Sequence, residues 1–243
     1  MTLLEVCVDT PSGLGAAVEG GADRIELCAA LPLGGLTPSA GLMALAATLD
    51  VPTRAMIRPR EGHFIFDADE FKAMLHDIDA ARDAGLEGVV IGAMTAEGAL
   101  DMSMLERLAN HATGMAITLH RAVDLLPDPV EAVDAAVALG LTTILTSGGA
   151  LKAVDGLAAI AAMSARAAGR IEIMAGSGVH ADNAPAILAA TGIGAVHASC
   201  SRPIAVDEGD GGARALAFGF EVAGRRETDR TLVAALRRAT RGH

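Results

Sequence analysis

The 243-residue chain has no tryptophan and no tyrosine, and five phenylalanines supply all of its aromatic content. Its core must therefore be filled by Ala, Val, Leu, Ile and Met, which favours tight helix-on-sheet packing over aromatic binding surfaces. Cysteine is equally sparse: Cys7, Cys28 and Cys200, with no C-x-x-C spacing, exclude a zinc knuckle and predict free thiols rather than a disulfide framework. Basic residues are few, 19 against 30 acidic for a net charge of −11, which argues against nucleic acid and anionic lipid as partners. Long apolar runs are missing too. The longest uncharged stretch, residues 135–151, is broken by Gly140, Thr142, Thr143 and Ser147 and is shorter than the roughly 20 residues a spanning helix needs. The first residues carry neither the basic start nor the apolar run of a leader, so the sequence predicts a cytoplasmic protein.

What is present is an alternation of short apolar strands with Ala/Leu-rich amphipathic stretches, the pattern of a parallel sheet covered by helices. The strands are expected at Leu3–Val8, Arg24–Leu27, 53–58, Gly88–Ile91, 115–120, Thr143–Thr146, 171–174 and 195–199. Gly21, Gly85, Gly140 and Gly192 precede the even-numbered strands at similar distances, each suited to a left-handed helix stop. This period, about two βα units long, supports a single (β/α)8 TIM barrel over residues 1–243, with an open doubly wound sheet as the alternative. Residues 201–227, rich in Gly, Asp and Arg, read as a long loop and 228–241 as a terminal helix capped by Thr228. Phe218 and Phe220 are the expected anchors of that loop, and His243 is expected to be solvated.

Strand parity then sorts the side chains, because only one face of a barrel strand meets the helices. The apolar sets, such as Leu4, Val6, Val8 and Ile25, Leu27, belong outside. Directed inward are Glu5, Cys7, Arg24, Glu26, Cys28, Met56, Arg58, Thr118, His120, Glu172, Met174, His197 and Ser199. The fourth and sixth strands stay ambiguous by this test. Charges that deep are paired or functional, and Cys7, Cys28, Arg58 and His120 fall at carboxyl strand ends, where barrel enzymes place their sites.

The segments Leu-Glu-Val-Cys at 4–7, Ala-Asp-Arg-Ile-Glu-Leu-Cys at 22–28, Gly-Gly-Leu-Thr-Pro-Ser at 34–39 and Ile-Arg-Pro-Arg at 57–60 resemble the CutC family, named for copper homeostasis. His-Arg-Ala-Val-Asp at 120–124, Leu-Thr-Ser-Gly at 145–148 and Val-His-Ala-Ser at 196–199 agree in order and spacing, so the resemblance spans residues 1 to about 200. It implies a TIM barrel, a cytoplasmic location, a homo-oligomer (dimer or tetramer), and Cu(I) bound by two cysteines matching Cys7 and Cys28. Two positions depart from the pattern: Val123 stands where an aromatic is common, and Phe66 replaces a tyrosine, so no role at 66 uses a hydroxyl.

Three constellations carry chemistry. Cys7 and Cys28, at equivalent depth on strands about 4.8 Å apart, can converge on one soft ion, with Met56, Met174, His120 or His197 as further donors; the competing reading is plain core packing of thiols. Arg58, Arg60 and Arg121, together with His197, Ser147 and the glycines Gly148, Gly176 and Gly178 after the sixth and seventh strands, make a candidate anion site. His120 and Asp124 with an inward glutamate, Glu5 or Glu26, supply acid/base partners. The expected ligand is thus a metal ion or a small anionic molecule. Two functions follow: Cu(I) binding in copper homeostasis, or a metal-independent lyase- or isomerase-type enzyme.

Overall fold

A computed structural model describes residues 2–204, 210–220 and 224–241. Eight parallel strands close into a barrel in sequence order: β1 (Leu3–Val8), β2 (Arg24–Leu27), β3 (Thr53–Met56), β4 (Gly88–Ile91), β5 (Ala116–Leu119), β6 (Thr143–Thr146), β7 (Glu172–Ala175) and β8 (Ala195–Ala198). Closure is direct, with Leu3 paired to Ala195 and Glu5 to His197 across the β1–β8 seam. The open sheet is thereby excluded. The third and fifth strands are shorter than expected and the seventh is shifted by one residue, as usual for boundaries read from pattern.

Between strands run α1 (Pro11–Gly20), α2 (Ala40–Ala46), α3 (Ala68–Asp83), α4 (Met102–His111), α5 (Ala132–Ala138), α6 (Leu157–Ala167) and α7 (Ala184–Thr191). Their ends are written in the sequence. Thr10, Ser39 and Asp101 accept N-terminal N–H groups of α1, α2 and α4, and Asp67 with Glu70 forms a complete capping box on α3. The four repeated glycines sit at φ of +90°, +83°, +68° and +67° for Gly21, Gly85, Gly140 and Gly192, the left-handed region that the stop requires.

The outward residues Leu4, Val6, Val8, Ile25, Leu27, Val89, Ile91, Ile117 and Ile144 pack with helix residues such as Leu14, Met74, Ile78, Leu105 and Leu108 in one continuous outer core. Each such side chain contributes about 1.5–3 kcal/mol by leaving water. The interior is separate and small: Cys28, Met56 and Val90 form one apolar group, and Leu145, Met174 and Ala195 another. Those groups settle the two ambiguous strands, with Val90 and Leu145 inward.

After β8 the chain departs from expectation. Residues 201–227 are not simply a loop: β9 (Ser201–Pro203) pairs antiparallel with β10 (Arg226–Thr228), and α8 (Asp210–Ala217) lies between them. Thr228 is a strand residue. The last helix, α9 (Arg230–Thr240), is capped by Asp229, which accepts from Thr231 and Leu232, and it packs on α1 and α7 as the eighth helix of the barrel. Phe218 and Phe220 do not anchor this segment inward; they stack on one another, 64% and 84% exposed. His243 lies outside the described residues.

Candidate functional site

The amino-end half of the barrel interior is a closed polar network. Arg24 Nε donates to Glu5, while its Nη2 reaches Glu172 Oε2 at 3.0 Å and Met174 Sδ at 3.3 Å. Arg54, whose inward parity was passed over in the sequence, donates to Thr118 and Thr143, each at 2.8 Å, and to Glu87 at 3.1 Å. Thr143 in turn donates to Glu172 at 3.1 Å. Burial alone would raise the Glu5 carboxyl, yet the hydrogen bond from His197 and the charge of Arg24 outweigh it and hold its pKa down at about 2. Glu5 is an anion consumed by its partners.

One layer up, His197 bridges two carboxylates, Nδ1 to Glu5 Oε1 at 2.8 Å and Nε2 toward Glu26 Oε2 at 3.8 Å. Burial opposes a charged ring, but Glu26, Cys7 and Glu5 together push its pKa well above the ordinary value. Burial raises the Glu26 carboxyl, with Glu5 adding to it against the pull of His197. Cys28 is buried beside Met56, its thiol donating to Glu26 at 3.6 Å. Burial and the neighbouring Glu26 drive that thiol far above its usual range.

At the carboxyl end the network stops, and a cavity of about 620 Å³ opens. Cys7, Glu26, Met56, Arg58, His120 and His197 line it. His120 accepts from the Ala122 N–H through Nδ1 at 3.1 Å, which places the neutral ring's proton on Nε2. Burial first, then Arg58, lowers its pKa to about 4, so the ring is uncharged at neutral pH. Phe64 packs 4.7 Å away, and Gly92 makes room: a Cβ there would lie 2.2 Å from His120 Cε1. Arg58 donates to three backbone carbonyls, those of Leu33, Gly35 and Gly62, and among the described residues to no carboxylate. Among the described residues, three buried side-chain atoms have no partner, Glu26 Oε1, Arg58 Nε and His120 Nε2, and all three residues line this one cavity.

The remaining expected residues have other engagements. Arg60 is clamped by Glu70 and the carbonyls of Glu61, His63 and Ile65, and is not among the residues lining the cavity. Arg121 pairs with Asp124 at 2.8 Å and with Ser147 at 2.8 Å. Asp124 also accepts from Thr146 Oγ1, Ser147 N and Gly149 N, so its carboxylate holds the turn after β6. Gly148 is there for close approach, since a Cβ would fall 2.4 Å from the Gly156 carbonyl. Gly176 is confined likewise by Leu145 at 2.6 Å. Gly178 lines the cavity.

The cysteine pair also separates. Among the described residues, the group with metal-ligand geometry is Cys7, Glu26 and His197, whose donor atoms lie within 4.8 Å of one another. Cys28 is outside that set. Phe64 and Gly92 are site residues the sequence reading missed. Gly92 continues the inward parity of Gly88 and Val90, but the sequence left that strand ambiguous, and Phe64 sits on an irregular loop, so neither carried a usable signal.

The model of the family described as CutC matches residues 2–202. A CutC-family protein of Agrobacterium fabrum is 52% identical over 241 residues, 99% of this chain and 95% of its own length. The crystal structure of a CutC protein from Streptococcus agalactiae, whose name refers to copper homeostasis, matches with a TM-score of 0.78 at 32% identity, over 82% of this chain and 99% of that one. Thiamine phosphate pyrophosphorylase from Pyrococcus furiosus, at 16% identity and a TM-score of 0.62 over 99% of this chain and 96% of its own, shares the fold alone. The barrel with its polar interior therefore belongs to the CutC family.

Proposed function

We propose that the mouth cavity binds a small anionic metabolite and that the chain is a metal-independent enzyme of lyase or isomerase type. The observation that carries this reading is the set of three unpartnered buried polar atoms, among the described residues, on side chains that line one cavity. A buried donor or acceptor left unmade costs about 1–3 kcal/mol, so three together mark places where a ligand completes the bonds. Arg58 Nε–H and neutral His120 Nε2–H hold a carbonyl or carboxylate oxygen of the substrate. Glu26, its carboxyl pKa raised by burial, takes a proton from the carbon next to that carbonyl. The C–H electron pair moves into a C=C bond and the carbonyl oxygen becomes the enolate oxygen held by His120 and Arg58; where the deprotonated carbon carries a hydroxyl, that hydroxyl's proton passes to the enolate oxygen, a C=O re-forms at the hydroxyl-bearing carbon, and Glu26 returns its proton to the former carbonyl carbon, which completes an isomerisation. Glu5 positions His197, and Asp124 positions the β6 turn.

Pyruvate, which carries both a carbonyl and a carboxylate, is a suitable probe. The parent protein should bind it, and Arg58→Met should weaken binding by about 1.5–3 kcal/mol for a lost charge-assisted bond. Absence of pyruvate and carboxylate binding in the parent by calorimetry contradicts the reading.

A second reading, Cu(I) binding, is favoured by the proximity of Cys7, Glu26 and His197. This set mixes one soft, one borderline and one hard donor and uses a single thiolate, so it differs from a two-cysteine site. Competition against a Cu(I) chelator separates them: Cys7→Ser should lose affinity on either ligand set, whereas Cys28→Ser loses it only if two thiolates bind the ion. Equal affinity in the parent and both variants removes copper from the site. We also assign the chain to the cytoplasm, where three free cysteines suit a reducing compartment; among the described residues no helix is long and apolar enough to cross a membrane. A homo-oligomer, dimer or tetramer, is supported by the exposed Phe218 and Phe220 pair and is read by light scattering.

A further inference from the structure

We infer that the turn after β7 is a phosphate subsite, which makes the anionic metabolite a phosphate monoester; the inference rests on the mouth being a small-molecule site. The turns after β6 and β7 stand side by side and differ in one respect. In the β6 turn the N–H groups of Ser147 and Gly149 donate to the Asp124 carboxylate, and that of Gly148 donates to Thr146 Oγ1 at 2.8 Å. An internal anion already fills that turn.

The β7 turn is built in the opposite sense. Ser177 and Gly178 are both left-handed, at φ of +77° and +70°, and their carbonyls are already used: Ser177 O accepts from Ala153 N at 3.0 Å and Gly178 O from Asn183 Nδ2 at 2.8 Å. In a trans peptide the N–H points away from the carbonyl, so the N–H groups of Gly178 and Val179 face the other side from Ala153 and Asn183. Among the described residues, the N–H groups of Ser177, Gly178 and Val179 have no acceptor. These three residues line the same cavity as Arg58, His120 and Glu26, each at least nine-tenths buried and each with an unpartnered atom. Ser177 Oγ donates to Leu151 O at 2.7 Å, which ties the turn to the β6 side and fixes its shape.

The exposed Lys152, which is not itself among the residues lining the cavity, packs its stem on the turn. The Lys152 stem lies 3.3–3.6 Å from where a Cβ on Gly178 would sit. Lys72 is paired with Asp69, whereas Lys152 has no ion pair or side-chain hydrogen bond among the described residues. Three successive free N–H groups beside an unpaired lysine suit the three oxygens and near-double charge of a phosphate better than the two oxygens of a carboxylate. The cavity then holds a small phosphate ester with its phosphate at the β7 turn and its reacting oxygen at Arg58 and His120.

The experiment is amide NMR of the full ¹⁵N-labelled chain, titrated separately with inorganic phosphate and with pyruvate. Phosphate should move the Ser177, Gly178 and Val179 amides saturably. Lys152→Met should weaken phosphate about tenfold, as expected for one charge-assisted contact, and leave pyruvate unaffected. Gly178→Ala, forced into a left-handed φ, should weaken phosphate too. Phosphate that leaves these three amides unmoved, or binds Lys152→Met as it does the parent, overturns the subsite. If pyruvate still binds in that case, only the phosphate inference fails; if neither probe binds, the reading of the mouth fails with it.

Discussion

The two ends of the barrel interior use the same residue types to opposite effect. At the amino end Glu5, Arg24, Arg54 and Glu172 satisfy one another, with Thr118 and Thr143 filling the remaining positions. At the carboxyl end Glu26, Arg58 and His120 line a cavity, and each keeps a buried atom without a partner among the described residues. Buried charge by itself is therefore no sign of a site. The distinction is whether its hydrogen bonds are complete, because a completed network holds the barrel together whereas an incomplete one leaves bonds for a ligand, an ion or a water to make.

The largest effect should come from breaking the completed end. Arg24→Met strands Glu5 and Glu172 without their cation and should cost about 3–5 kcal/mol in a denaturant titration. Glu26→Gln at the other end should change stability by less than about 1 kcal/mol, since it removes a charge that burial already disfavours. Similar costs for both would erase the contrast between the ends.

Acid should separate the two ends by pH. The folded pKa of Glu5, about 2, lies below its ordinary 4.5, so its stabilisation is present above 4.5 and is lost as pH falls toward 2. His120, at about 4 against 6.5, is neutral when folded, and the unfolded chain takes up its proton first, so stability falls between pH 6.5 and 4. Each effect is on the order of 3 kcal/mol. His197 has the reverse sign: its contribution is full below 6.5 and fades as pH rises toward its elevated folded pKa. His120→Gln should flatten the stability profile between pH 6.5 and 4 and leave the lower limb in place, as followed by thermal unfolding.

A single added methyl tests the fit of the mouth. Gly92→Ala places a methyl against the His120 ring and should cost about 1–3 kcal/mol through overpacking, while weakening pyruvate binding because His120 Nε2 moves. Unchanged binding in a folded Gly92→Ala protein would show that His120 does not contact the ligand.

Much of the barrel was legible because its signals are local. The four glycine stops and the outward apolar parity were enough for closure, and the inward Glu5, Arg24, Glu26 and His197 followed from period two. The site was half legible. Parity places a side chain inside but does not say who its partners are. Arg60 looks like a free cation in sequence and is taken by Glu70, Arg121 forms with Asp124 the local ion pair that its spacing also allowed, and Cys7 and Cys28 share a parity while only Cys7 joins the Glu26 and His197 group. The segment after β8 differs from the loop expected because β9 and β10 are three residues each, too short to show alternation, and their central pair, Arg202 with Glu227, joins residues 25 apart.

The measurement that bears most directly on the incomplete mouth is ¹⁵N NMR of the histidine side chains, with and without pyruvate. At pH 7 His120 should be singly protonated on Nε2 and His197 doubly protonated, and saturating pyruvate should shift the His120 Nε2 signal while leaving His197 in place. A doubly protonated His120, or a His120 signal indifferent to pyruvate in the parent protein, would contradict the claim that these unmade bonds are kept for a ligand.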